Sequence, residues 1–157
     1  MKNEEKTIGE ALEKLRQICS RQEKCPADVI NLLKRWGIDQ QHHHDIMEQL
    51  KSESYIDEYR YASAFVKDKI RFDHWGIFKI RYSLHQKNIA REVLENAVGE
   101  VDRDEYRLMI GKELDKRRKS LKGTPREIWA KLARYGSSRG YEMEYMQDFL
   151  NEGAGDY

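Results

Sequence analysis

Apolar residues recur along the chain at steps of three and four, the spacing that places side chains on one face of an α-helix. Ile8, Ala11, Leu12, Leu15, Ile18 and Cys19 form the first stripe. Thr7-Ile8-Gly9-Glu10 opens it in the form of a capping box, in which both side chains satisfy free backbone N–H groups. A second helix is expected to start at Pro26, carry Val29, Leu33 and Trp36, and end at Gly37 in the left-handed conformation. A third runs from about Gln40 to Leu50 behind the cap Asp39, with Ile46, Met47 and Leu50 inward.

The pattern then restarts. Asp57 is placed to cap a helix with Tyr61, Ala62, Phe65, Val66 and Ile70. The linker Asp73-His74-Trp75-Gly76 leads into a helix with Ile77, Ile80 and Leu84, which Asn88 can end in the left-handed form. Ile89, Val93, Leu94, Ala97 and Val98 mark the next. The third round opens at Asp102 to Glu105, a second capping-box candidate, before a long helix with Leu108, Met109, Ile110 and Leu114. Thr124-Pro125-Arg126-Glu127 starts a helix with Ile128, Leu132 and Tyr135, which Gly136 is expected to stop. Tyr141, Tyr145, Met146, Phe149 and Leu150 belong to the last.

The middle helices align as Val29, Leu33, Gly37; Ile80, Leu84, Asn88; and Ile128, Leu132, Gly136, with offsets of 51 and 48 residues. The preceding helices align through Ala11 and Leu15, Ala62 and Val66, and Ile110 and Leu114. A period near 50 signals a tandem array. The sequence thus predicts an all-α protein: three tandem three-helix repeats, 7–54, 55–101 and 102–152, forming an elongated, curved array whose neighbouring units share buried surface.

Charge changes this picture from scaffold to binder. The net charge is only +1, which by itself predicts no affinity for nucleic acid, but its distribution is uneven. Arg60 to Arg91 holds eight Lys/Arg against Asp68 and Asp73, net +6. Lys116 to Arg139 holds nine against Glu127, net +8. Glu92 to Asp115 between them is net −5, and Glu142 to Asp156 has five acids and no base. Basic blocks meet phosphate or acidic protein surface. The candidates are Lys67, Lys69, Arg71, Lys79, Arg81, Lys87 and Arg91 in the second unit. In the third they are Lys116, Arg117, Arg118, Lys119, Arg126, Lys131, Arg134 and Arg139. Phosphate contacts through them would be salt-dependent and tolerant of sequence.

Other chemistry is sparse. His42-His43-His44 on a helix point in three directions about 100° apart, so they read as a solvated helix start and not as a chelate. Cys19 and Cys25 have no CxxC pattern, are too few for a disulfide framework and are expected reduced. No nucleophile elbow, phosphate loop or zinc-protease motif is present, so neither a catalytic residue nor a metal or other cofactor is expected. No apolar run approaches the roughly 20 residues of a membrane span, and a cytoplasmic monomer is expected. Trp36, Trp75 and Trp129 read as core or joint residues, with Trp75 the exception if any is exposed. Tyr59 falls off the apolar face, where an exposed ring could stack on an unpaired base.

Two segments carry a family likeness. YIDEYRYASAF, residues 55–65, resembles the G-Y-[IL]-[DN]-[DE]-x-[RK]-[FY]-A-x-x-[FY] segment of the RecX family of bacterial recombination regulators. WGIFKIRYSLHQKNI, residues 75–89, is similar to that family's G-x-x-x-I-x-x-x-L-x-x-K-G-I segment. REIWAKLARYGSSRGYEMEYM resembles its last segment, where a basic helix ends in R-x-G-F/Y. The likeness covers about residues 8–151 and marks Tyr55, Asp57, Tyr61, Ala62, Phe65, Gly76, Ile80, Leu84, Asn88 and Ile89 as repeat-defining. Asn88 and Ser54 stand where the family usually has Gly. The resemblance implies three-by-three helical repeats and a non-enzymatic protein that binds the filament of the recombinase RecA on single-stranded DNA, lies in its groove and restrains it. It also implies single- or double-stranded DNA as a weaker, salt-sensitive ligand. Two other readings stand beside it: a helical DNA-binding protein acting independently of RecA, and a passive repeat scaffold.

Overall fold

The computed structural model describes residues 7–152. Among them are nine α-helices and no strand: α1 Ile8–Arg21, α2 Pro26–Arg35, α3 His43–Ser52, α4 Glu58–Arg71, α5 Ile77–Gln86, α6 Arg91–Gly99, α7 Arg103–Arg118, α8 Pro125–Arg139 and α9 Met143–Glu152. A 3-10 turn, Gln40–His42, precedes α3. No helix among the described residues is long and apolar enough to cross a membrane. Asp156, the end of the acidic run, lies outside the described residues.

Short polar side chains start α1, α4, α7 and α8. Thr7 accepts from the Glu10 N–H at 3.1 Å, Asp57 from Arg60 at 3.0 Å and Thr124 from Glu127 at 3.2 Å. Asp102 accepts from both Asp104 and Glu105. Each satisfies a donor that the first helical turn leaves without an intrahelical partner. At α2 the capping box is built by Cys25 and Asp28.

The middle helices end identically, and this corrects the repeat register. The Ile38 N–H returns to the Leu33 carbonyl, Ile89 to Leu84 and Tyr141 to Gly136. The residue before each is left-handed: Gly37 at φ 73°, Asn88 at 59° and Gly140 at 90°. These are three copies of one C-cap, in which a left-handed residue lets the chain turn back onto the orphan carbonyls. Gly136 therefore does not stop α8. It lies inside the helix, where a Cβ would collide with the buried Met146 sulfur. The third unit aligns one turn later than the apolar pattern suggests, with offsets of 51 and then 52 residues. Leu132 is the partner of Ile80, and Gly136 of Leu84.

Two hydrophobic cores result. Leu15, Val29, Leu33, Ile46 and Leu50 centre the first, and Tyr55 and Ile56 pack onto it. The second is continuous across α4–α6 and α7–α9, running from Ala62, Ile80 and Leu84 to Tyr106, Ile110, Leu114, Leu132 and Met146. Leu108, expected inside, is 62% exposed. Tyr106 takes its place in the core.

The α4–α6 and α7–α9 units are joined through the start of α5. Its N-cap, Gly76, offers no side-chain hydrogen bond. The α7–α9 unit satisfies the free donors instead: the Gly76 N–H reaches the Arg139 carbonyl at 2.7 Å and Phe78 reaches Gly140 at 3.1 Å. The Ile77 N–H donates to the Tyr106 hydroxyl at 2.9 Å, and that hydroxyl donates to Glu142. The Tyr141 hydroxyl and the Arg139 guanidinium donate to the His74 and Asp73 carbonyls at 2.7 and 2.6 Å. The positive end of the α5 dipole thus meets the carbonyl end of α8. A Cβ on Gly76 would run into the Gly140 backbone. The variant Gly76→Ala is expected to lose more than about 2 kcal/mol in urea unfolding, because backbone has no other place to go. Gly99→Ala, with nothing within 4 Å of its Cβ, is expected to be neutral or slightly stabilising.

Candidate functional site

The basic residues divide into those already engaged within the fold and those left free. Lys87 bonds Asp28 at 2.9 Å across the joint between the α1–α3 and α4–α6 units. Arg81 bonds Glu95 at 3.0 Å, and Lys69 bonds Asp73 at 3.1 Å. Arg118 holds Asp115 and the Phe149 carbonyl, and Lys131 reaches the Lys122 carbonyl at 3.2 Å. Arg139 belongs to the junction at the start of α5. Lys79 and Lys69 sit over the Trp75 ring at 4.4 and 4.6 Å from its centre, so the indole is occupied by cation–π contact. Arg117 stands over Tyr135 at 5.1 Å. Exposed and without an ion pair or hydrogen bond among the described residues remain Lys67, Arg91, Lys116, Lys119, Arg126 and Arg134. Arg71 is exposed too, and touches only the Phe72 ring.

Lys67 and Arg71 border a groove of about 750 Å³ between α4 and α7, floored by Ile70, Val101, Leu108 and Met109. A second groove, of about 500 Å³, follows the joint between α1–α3 and α4–α6 past Asp28, Tyr61, Phe65 and Lys87. That joint is largely polar. Arg60 bonds Glu23 at 2.6 Å and also reaches the Ser54 carbonyl. Cys25 is the fully buried apolar group that α1–α3 contributes to the neighbouring core.

Reasoning from spacing missed three exposed rings, one of them Phe72 at 69%. Phe78 and Tyr82 are 63% and 67% exposed on α5, opposite the fully buried Ile80 and Leu84. Their signal was present in the sequence, as aromatics four apart on the polar side of a clear stripe. Tyr59 is exposed, at 46%. His43 departs from a solvated helix start: it is buried and bonds the Ile38 carbonyl at 2.9 Å. Cys19 and Cys25 are free thiols, both buried, and burial pushes both thiol pKa values up. Among the described residues no three His, Cys, Asp or Glu are grouped to hold a metal ion.

Residues 57–98 match the family model "RecX, second three-helix domain". A Regulatory protein RecX of Clostridium botulinum (strain Eklund 17B / Type B) is 32% identical over 134 residues, 83% of this chain and 60% of that protein. The one from Prosthecochloris aestuarii is 27% identical over 80% of this chain and 81% of its own. The chain belongs to the RecX family. The RecX fold is shared as well. A crystal structure of regulatory protein RecX superposes with a TM-score of 0.84 at 19% identity, over 92% of this chain and 73% of the other. That of RecX from Lactobacillus salivarius gives 0.79 at 17%, over 94% and 96%. This chain spans 60% of the length of the Clostridium botulinum RecX proteins it matches. Its two departures from the RecX glycine pattern, Ser54 and Asn88, keep the glycine-like backbone, with φ of 63° and 59°.

The Lys87–Asp28 pair yields a test with a defined sign. Burial alone would raise the Asp28 pKa, but the Lys87 ammonium and the Cys25 N–H outweigh it and hold the carboxyl below its usual range. A depressed carboxylate pKa adds stability above the unfolded value, lost as pH falls through the folded one. At neutral pH, Lys87→Met is expected to cost about 1–2 kcal/mol in urea unfolding, by leaving Asp28 without its cation. Lys87→Met/Asp28→Asn should recover part of the loss. As pH falls and Asp28 becomes protonated in the fold, the single variant and the wild type should converge.

Proposed function

We propose that this chain is a regulator, mainly an inhibitor, of the recombinase RecA, binding the RecA filament on single-stranded DNA and limiting its extension. The observation that carries the reading is the set of free cations in a RecX-family repeat fold. Where half of the basic candidates are tied into the fold, Lys67, Arg71, Arg91, Lys116, Lys119, Arg126 and Arg134 are exposed without an ion pair. Free long-range charge steers association and contacts acidic protein or phosphate. The units α4–α6 and α7–α9 share one core, so both groups of cations are carried on one body. Contacts made together from one body add through effective concentration. DNA itself is the weaker, salt-sensitive ligand, since a phosphate contact releases counterions.

The deciding measurement is the single-stranded-DNA-dependent ATPase of the cognate RecA, titrated with this protein below one copy per RecA subunit, beside a titration of DNA alone. Loss of ATPase where bare DNA is hardly bound is expected. Reversing charge at Lys116, Lys119, Arg126 and Arg134 together should raise the half-inhibiting concentration at least about tenfold with helicity unchanged, because these side chains hold nothing in the fold. Unchanged inhibition by that variant would remove the α7–α9 unit from the contact. Tight, salt-sensitive binding of bare DNA without any effect on ATPase would favour a helical DNA-binding protein that acts independently of RecA.

A further inference from the structure

The outer face of α5 has an arrangement that neither the fold nor the free cations account for. Phe78 and Tyr82, four residues apart, stand side by side about 5–6 Å from each other at Cβ, and both rings are mostly in solvent. Tyr61, Tyr106 and Tyr141 are buried; Tyr59 and Phe72 are exposed as well, but Phe72 lies against Arg71 and the two are not adjacent on one helix face. Neither Phe78 nor Tyr82 meets another ring or a cation among the described residues. Turning around the helix by 100° per residue, Arg81 and His85 flank the pair on one side and Lys79 and Gln86 on the other. No acid occurs between Asp73 and Glu92.

We propose that this face is a stacking site for unpaired bases of single-stranded nucleic acid, with Phe78 and Tyr82 as the platform and Lys79 and Arg81 beside the phosphates. The two rings stand among polar side chains, with no other apolar group on that face of α5. Two exposed π-faces flanked by Lys79 and Arg81, the latter also paired with Glu95, fit a ligand that alternates flat bases with negative charge. Duplex bases are covered by their neighbours, so the site selects unpaired strands. Its geometry is set in advance. The start of α5 is held by the Arg139 and Gly140 carbonyls and the Tyr106 hydroxyl. Lys79 is held by Trp75 and Arg81 by Glu95. Little ordering is left to the moment of binding. The site needs only nucleic acid and stands whether or not RecA is the partner.

The test is fluorescence anisotropy of a dye-labelled oligothymidine, with a duplex of equal length as control, against the full chain and its variants. Phe78→Ala and Tyr82→Ala should each weaken oligothymidine binding about tenfold, and together about a hundredfold, with helicity intact. Tyr82→Phe should bind as the wild type, and Phe78→Leu/Tyr82→Leu should not restore affinity. The salt slope should be unchanged, because no phosphate contact is removed. Wild-type affinity in the double alanine variant, full recovery by leucine, or no preference for oligothymidine over duplex would each overturn the stacking site. The RecA ATPase separates the two readings. A double alanine variant that binds oligothymidine normally but no longer inhibits RecA would make the face a protein contact and sink the stacking site alone. Stacking-dependent oligothymidine binding by a wild type that leaves RecA untouched would sink the recombinase reading alone.

Discussion

The fold turns on a helix that cannot start by itself. Free N–H groups at the head of α5 need acceptors, and Gly76 brings no side chain to supply one. The α7–α9 unit supplies them from the C-terminal turn of α8 and from a tyrosine hydroxyl. This works only because two glycines let two backbones approach to hydrogen-bond distance, and because Gly140 is also the left-handed cap of α8. One residue thus ends one helix and starts another. Glu142 anchors the tyrosine in turn, and burial with that bond pushes the Tyr106 phenol pKa well above its usual value, so it stays a neutral donor. The shared core of α4–α9 follows from this junction, since it fixes the angle at which Ile80 and Leu84 face Tyr106 and Leu132.

The other joint is made on different terms. Between α1–α3 and α4–α6 the contacts are chiefly ion pairs and the hydrogen bonds of Arg60, and each unit keeps its own core. Exposed pairs are weak and screened by salt, whereas a continuous apolar core is neither. Relative motion in this chain is therefore expected at the first joint and not at the second. Cys25 ties the two together in a small way: its Sγ side is buried in the neighbouring core while its backbone caps α2.

Much of this was legible in the sequence because local rules act locally. A short polar residue before a helix, a Pro at its first turn, or a Gly or Asn after it does its work within a few residues of backbone. Thr7, Asp57, Asp102, Thr124, Gly37 and Asn88 all behave so. What failed did so through distance in space. Gly136 has the composition of a stop, but it is small because Met146 of α9 presses on it. Tyr106 has no local signal that marks it as core, because Ile77 and Glu142 arrive at its hydroxyl from elsewhere in the chain. Leu108 stands in an apolar run with Met109 and Ile110, yet the buried stripe on α7 is rotated toward Tyr106 and Gly111. His43 looked like one of three solvated imidazoles until the turn at Ile38 offered it a buried carbonyl.

The same distinction governs the charge. Counting Lys and Arg along a segment measures potential before folding, whereas a partner meets what folding leaves over. Lys87, Arg81, Lys69, Arg118 and Arg139 each find an acceptor within the molecule, three of them on a carboxylate more than ten residues away or on a backbone carbonyl of another unit. Their fields are partly neutralised nearby, and removing them would disturb the fold as well as any complex. The charge that survives lies on α4, on Arg91 and at the two helices α7 and α8, while the rings Phe78 and Tyr82 that folding leaves unused lie on α5. Surface groups with no internal partner are where a functional contact can be made at no structural cost, and on this chain both kinds, free cation and free ring, occur on the body formed by α4–α9.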